Sequence, residues 1–154
     1  MKAKVHASAG ALALLTICIF WGATALGELF GDAADIAAVK NGILMGMLVL
    51  IPAMAIAGAS GFSLGKGRKS PAVQREKQRM KIIAANGILI LVPSAMFLAS
   101  KAGAGEFDTA FVAVQAIELV AGAVNITLLS LNMRDGLALR RKPARPKAAR
   151  TLLA

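Results

Sequence analysis

Residues 42–59 read GILMGMLVLIPAMAIAGA, eighteen consecutive positions with no charged or amide side chain. At 1.5 Å rise per residue, about 20 such residues cross the ~30 Å hydrocarbon layer of a bilayer. The reading extends outward in both directions. Residues 7–26, 82–100 and 110–131 are three further predominantly apolar runs of similar length. The chain of 154 residues is 57% hydrophobic with a mean hydropathy of +0.67, and 17% of it is charged. A water-soluble domain carries about 25% charged residues and alternates apolar with polar faces instead of running apolar all round. The expected fold is therefore all-α, an integral membrane four-helix bundle running up-down-up-down. Its spans are expected near 6–27, 41–61, 80–101 and 109–133. Together they form a unit over 1–136 and leave no room for a separate soluble domain.

Charge orders the four spans. Of the 18 basic residues, all but Lys40 and Lys101 fall before the first run, between the second and third, or after the fourth. The other two connections hold Glu28, Asp32, Asp35, Glu106 and Asp108. Positive residues stay on the cytoplasmic side. The N-terminus, the middle connection and the C-terminus are thus expected inside, N-in/C-in, in a bacterial-type inner (plasma) membrane. The net charge of +10 then points to anionic lipid headgroups and not to nucleic acid. The first run is longer than a signal-peptide core and reads as a retained span.

The connections carry helix signals. Ser70-Pro71 resembles an N-cap followed by proline at the first helical position, so helix three is expected to begin near 71 in the cytoplasm. Lys101–Asp108 reads as a tight, glycine-bearing hairpin. Residues 137–154, with Pro143 and Pro146 among basic residues, read as a basic, disordered cytoplasmic tail. Asn41-Gly-Ile-Leu and Asn86-Gly-Ile-Leu resemble one another, each followed by a proline, Pro52 and Pro93. Convergent packing composition accounts for this, because neither a parallel nor an inverted duplication maps span two onto span three. Gly10, Gly22, Gly46, Gly58, Gly87 and Gly122 are expected at close helix contacts, Trp21 at the membrane interface, and a homodimer is expected because thin alanine-rich helices bury little surface alone.

Polar side chains inside the runs need partners, since an unpaired one costs several kcal/mol in hydrocarbon. Gln115, Glu118, Gly122, Asn125, Leu129 and Asn132 recur at three- and four-residue intervals, a stripe that faces neighbouring helices. Glu118, the sole acidic residue read at its depth, is expected either to carry a proton or cation, or to be a neutral or hydrogen-bonded carboxyl joining helix four to the others.

His6, the sole histidine, precedes the small residues Ala7, Ser8, Ala9, Gly10 and Ala11. Small residues admit a flat group close to the backbone. Met80 is expected at the same membrane face, and histidine with methionine is an axial pair for haem iron. Arg75, Arg79 and Arg134 would meet the propionates, and Asn86 and Asn125 would line the pocket. Haem b on His6, serving electron transfer or haem handling, is the sharpest expectation. An accessory or scaffold subunit and a small transporter using Glu118 stand beside it. There is no CxxCH, no phosphate-binding glycine loop and no set of three zinc ligands. His6 and the aspartates of the opposite face cannot form a hydrolytic triad, so a hydrolase is not expected.

Overall fold

A computed structural model describes residues 2–67 and 70–141. All regular structure in them is helical: α1 (Lys2–Phe30), α2 (Ala33–Leu64), α3 (Pro71–Asn86), α4 (Val92–Gly103) and α5 (Thr109–Arg141). A single π-helical turn, Gly87–Leu91, joins α3 to α4, so the two halves form one continuous rod. Four helices are thus long and apolar enough to cross a membrane. Three of them run past the expected spans at both ends, and the fourth past its C-terminal end. In particular, α5 continues helically to Arg141, into the stretch expected to be an unstructured tail; 142–154 lie outside the described residues, as do Arg68 and Lys69.

Local chemistry sets the ends. Asp32 caps α2 by accepting from the N–H groups of Ala34 and Asp35 at 2.8 and 2.9 Å, while Asp35 reaches back to the Asp32 N–H. This reciprocal capping box closes the α1–α2 turn in two residues, Gly31 and Asp32. At the second hairpin, Lys101 Nζ donates to Glu106 and Asp108 at 2.7 and 2.8 Å. Asp108 also accepts the Phe111 N–H at 2.9 Å, which starts α5. The Lys101 ammonium, then that N–H, hold the Asp108 carboxyl below the usual carboxylate range. Gly105, at φ +72°, supplies the left-handed position the turn requires.

The wide turn has a cause in the sequence. Pro93 lacks an N–H, and its ring crowds the carbonyl four residues earlier. The backbone loosens just ahead of it, and the Val92 N–H bonds to the Gly87 carbonyl, five residues back.

Packing falls into two clusters. Near the Gly31 and Gly105 turns, Leu98, Ala102 and Phe111 are buried with Ile36, Ala37, Phe107 and Val114 around them. Further toward the His6 end, Ile17, Ile83 and Leu129 form a layer with Leu14, Leu50, Met54 and Leu91. The opposite faces are large and apolar: Ile19, Leu48, Leu89, Met96 and Val120 are all exposed. So continuous an apolar belt is what lipid, and not water, tolerates.

The glycine expectation holds at some positions only. A Cβ on Gly46 would overlap the Phe20 ring, and one on Gly122 would sit 2.9 Å from Trp21. Gly10 and Gly22 have open space instead. Trp21 is not an interfacial anchor: its indole donates to the Leu119 carbonyl at 2.9 Å, clamping α1 to α5 about 14 Å below the end of α1. The Asn-Gly-Ile-Leu pair shares no role either. Asn41 is exposed, whereas Asn86 bonds into α5.

Candidate functional site

The α5 stripe is buried as its spacing predicts, and it meets three different polar neighbourhoods. The first is an ion pair absent from the sequence reading. Lys40, only 1% exposed, places Nζ 2.8 Å from Glu118 Oε2, and Gln115 Nε2 donates to the same oxygen at 3.2 Å. Glu118 is therefore not an isolated carboxyl. Charge sorting places Lys40 in the solvent connection, but the Asp32 cap starts α2 early enough to carry it two turns into the bundle, between Ile36 and Ile43. That Asp-x-x-Asp capping signature, followed by apolar residues at spacing four and seven around Lys40, was the overlooked signal.

The second neighbourhood is an amide cluster. Asn86 Nδ2 donates to Asn125 Oδ1 at 2.8 Å and to the Ala121 carbonyl at 2.9 Å, and Asn125 Nδ2 reaches the Ile83 carbonyl at 3.4 Å. These two asparagines tie α3 to α5 and do not line the space around His6. Between them and Asn132 lies the apolar layer of Ile17, Ile83 and Leu129, so the stripe is interrupted and offers no continuous polar path.

The third neighbourhood is a cleft of about 280 Å³ at the His6 end. Small-molecule pockets begin at about 300 Å³. Ala7, Gly10 and Ala11 of α1 and Ala57, Gly58 and Gly61 of α2 give it a close-approach wall, and Met80, Leu129 and Met133 lie across from them. Its polar members are His6, Glu76, Lys77 and Asn132.

The hydrogen bonds fix the state of His6. Its Nδ1 lies 3.0 Å from the Ala57 carbonyl and 3.2 Å from Ser60 Oγ, whose own hydroxyl donates to the Ile56 carbonyl. A carbonyl can only accept, so Nδ1 carries hydrogen. The other nitrogen, Nε2, lies 3.4 Å from Glu76 Oε1. A bare Nε2 would set its lone pair against a carboxylate; one proton held between His6 and Glu76 removes that repulsion. Glu76, the lone acid of the basic connection, was a legible but unused signal.

His6 and Met80 are thus brought to one cleft, as expected. The arginines are committed elsewhere. Arg79 donates to Asp135 at 2.7 Å and to Asn132 Oδ1 at 3.4 Å, and Arg134 also reaches Asp135 at 3.4 Å. Arg75 is exposed and does not line the cleft. Lys77 donates to the Gly65 carbonyl at 2.9 Å. Asn132, 9% exposed, differs: its Nδ2, like Gln115 Oε1 elsewhere on the stripe, is buried without a hydrogen-bond partner among the described residues. The chain matches no protein-family model, no curated protein and no solved structure. The cleft's chemistry must therefore be read from its own atoms.

Proposed function

We propose that this chain is a small multi-pass protein of a bacterial-type inner membrane whose cleft at the His6 end binds a lipophilic small molecule. In this reading the helices alternate up and down, with the His6 end, the 65–70 connection and the C-terminus in the cytoplasm. The support is the sorting of basic residues to those segments, together with the anionic leaflet such residues favour.

One observation carries the ligand reading: a largely apolar cleft coincides with a buried amide donor that no atom among the described residues satisfies. A buried polar group without a partner costs about 1–3 kcal/mol. A ligand acceptor would relieve that cost. Haem b stays within this reading as one occupant, but it would need His6 Nε2 to leave Glu76 and Arg79 to leave Asp135. A ligand that accepts hydrogen bonds needs neither change. The interrupted stripe of α5 does not favour transport through Glu118.

Gly10 gives a clean test, because a side chain there enters open space at the cleft wall. Wild-type protein purified in mild detergent should carry a lipophile in its organic extract that Gly10→Leu lacks. Equal extracts from the two would end the ligand reading. A Soret band lost on His6→Ala would assign the occupant as haem.

A further inference from the structure

Resting on the cleft reading above, we propose that the cleft receives the headgroup of a prenylquinone-class lipid, a ring carrying two carbonyl oxygens on an apolar tail. Four features of the cleft select this chemistry together.

The first is charge. The His6–Glu76 pair holds one proton between two groups and is neutral as either imidazolium–carboxylate or imidazole–carboxylic acid. The ammonium of Lys77 is turned to the Gly65 carbonyl, and the guanidinium of Arg79 to Asp135. No free cation among the described cleft residues is arranged to receive a phosphate or carboxylate headgroup. A neutral headgroup fits better.

The second is hydrogen-bond sense. Asn132 Nδ2 lacks an acceptor, so the ligand must supply one. A ring carbonyl does so without bringing a charge into an apolar wall. The third is shape. The His6 ring covers Gly61 and the Met80 thioether reaches Gly58, so the open wall is at Gly10, flanked by Ala7 and Ala11, a low surface against which a planar ring can lie. The fourth is the proton itself. A quinone that has been reduced elsewhere takes up protons on its ring oxygens, and the His6–Glu76 pair holds one at the cleft wall. The pair's part in this proposal is binding: in its imidazolium–carboxylate form the Glu76 carboxylate can accept from a ring hydroxyl while it keeps its contact with His6.

The test uses the full-length protein in nanodiscs of neutral lipid and three probes of similar tail length: decylubiquinone, decylbenzene and laurate. Decylubiquinone should bind at least tenfold more tightly than decylbenzene. Asn132→Leu, nearly isosteric with asparagine, should erase most of that preference, since one lost hydrogen bond to a buried group is worth about tenfold. Gly10→Leu should weaken all three. Asn132→Asp gives a second check that keeps a polar group beside Arg79 but removes the donor; it too should lose the preference. Binding of decylbenzene and decylubiquinone with equal affinity, or tighter binding of laurate, would overturn the quinone class and leave the lipophile cleft standing. Absence of binding by all three, together with equal extracts from wild type and Gly10→Leu, would remove both.

Discussion

Lys40→Met is expected to destabilise the bundle by about 3 kcal/mol, because it leaves the Glu118 carboxylate buried with only the Gln115 amide to answer it. The reverse deletion should cost less. In Glu118→Met the stranded ammonium sits about 10 Å below the start of α2, and its four-carbon stem can lean toward the nearby membrane surface. A loss of about 1–2 kcal/mol is expected there. Replacing both partners with methionine should return stability to within about 1 kcal/mol of wild type, since the pair's attraction and its desolvation largely offset each other. Trp21 is a built-in reporter: it packs on Gly122, one turn from Glu118, and is the chain's one tryptophan. Its fluorescence during SDS titration of mixed micelles gives the four corners of the cycle. A double variant whose loss equals the sum of the two single losses would mean that Lys40 and Glu118 are not energetically coupled.

Leu98→Ala is expected to cost about 2 kcal/mol, although Leu98 is fully buried between Ala102 and Phe111. In a water-soluble core the same change commonly costs about 3–5 kcal/mol, part of it the transfer of methylenes out of water. Here the unfolded helices remain in detergent or lipid, so that part vanishes and the cavity remains. At ~24 cal/mol per Å³, the ~80 Å³ removed accounts for about 2 kcal/mol. The same SDS titration measures it. A loss above 4 kcal/mol would mean that Leu98 meets water on unfolding, which contradicts a bilayer as the chain's solvent.

The four rods are legible because hydrophobic runs of about 20 residues have few other readings, whereas their ends are not, because the helices continue beyond the apolar stretches. The α5 stripe was legible because one helix face repeats at three and four residues, and a polar residue on that face needs a neighbour. What the pattern could not supply was the neighbour. Lys40 is charged and lies near a connection, so charge sorting alone classed it with the solvent residues. Only the early Asp32 cap reveals that it is already inside the bundle. Likewise His6 and Met80 do share a cleft, but spacing could not show that His6 would be held by Ala57 and Glu76, nor that Arg79 would be taken by Asp135. Those contacts join residues more than 50 positions apart, and nothing local encodes them.

The single wide turn at Gly87–Leu91 sets which side of the third rod looks inward. Arg79, Ile83 and Asn86 all meet α5. On an uninterrupted wheel at 100° per residue, the buried set Ser94, Ala95, Leu98, Ala99 and Ala102 would be centred about 120° around from them. One surplus residue in the turn takes back about 100°. The two halves of the rod are thereby phased to one core, although a straight helical wheel would assign half of that core to lipid.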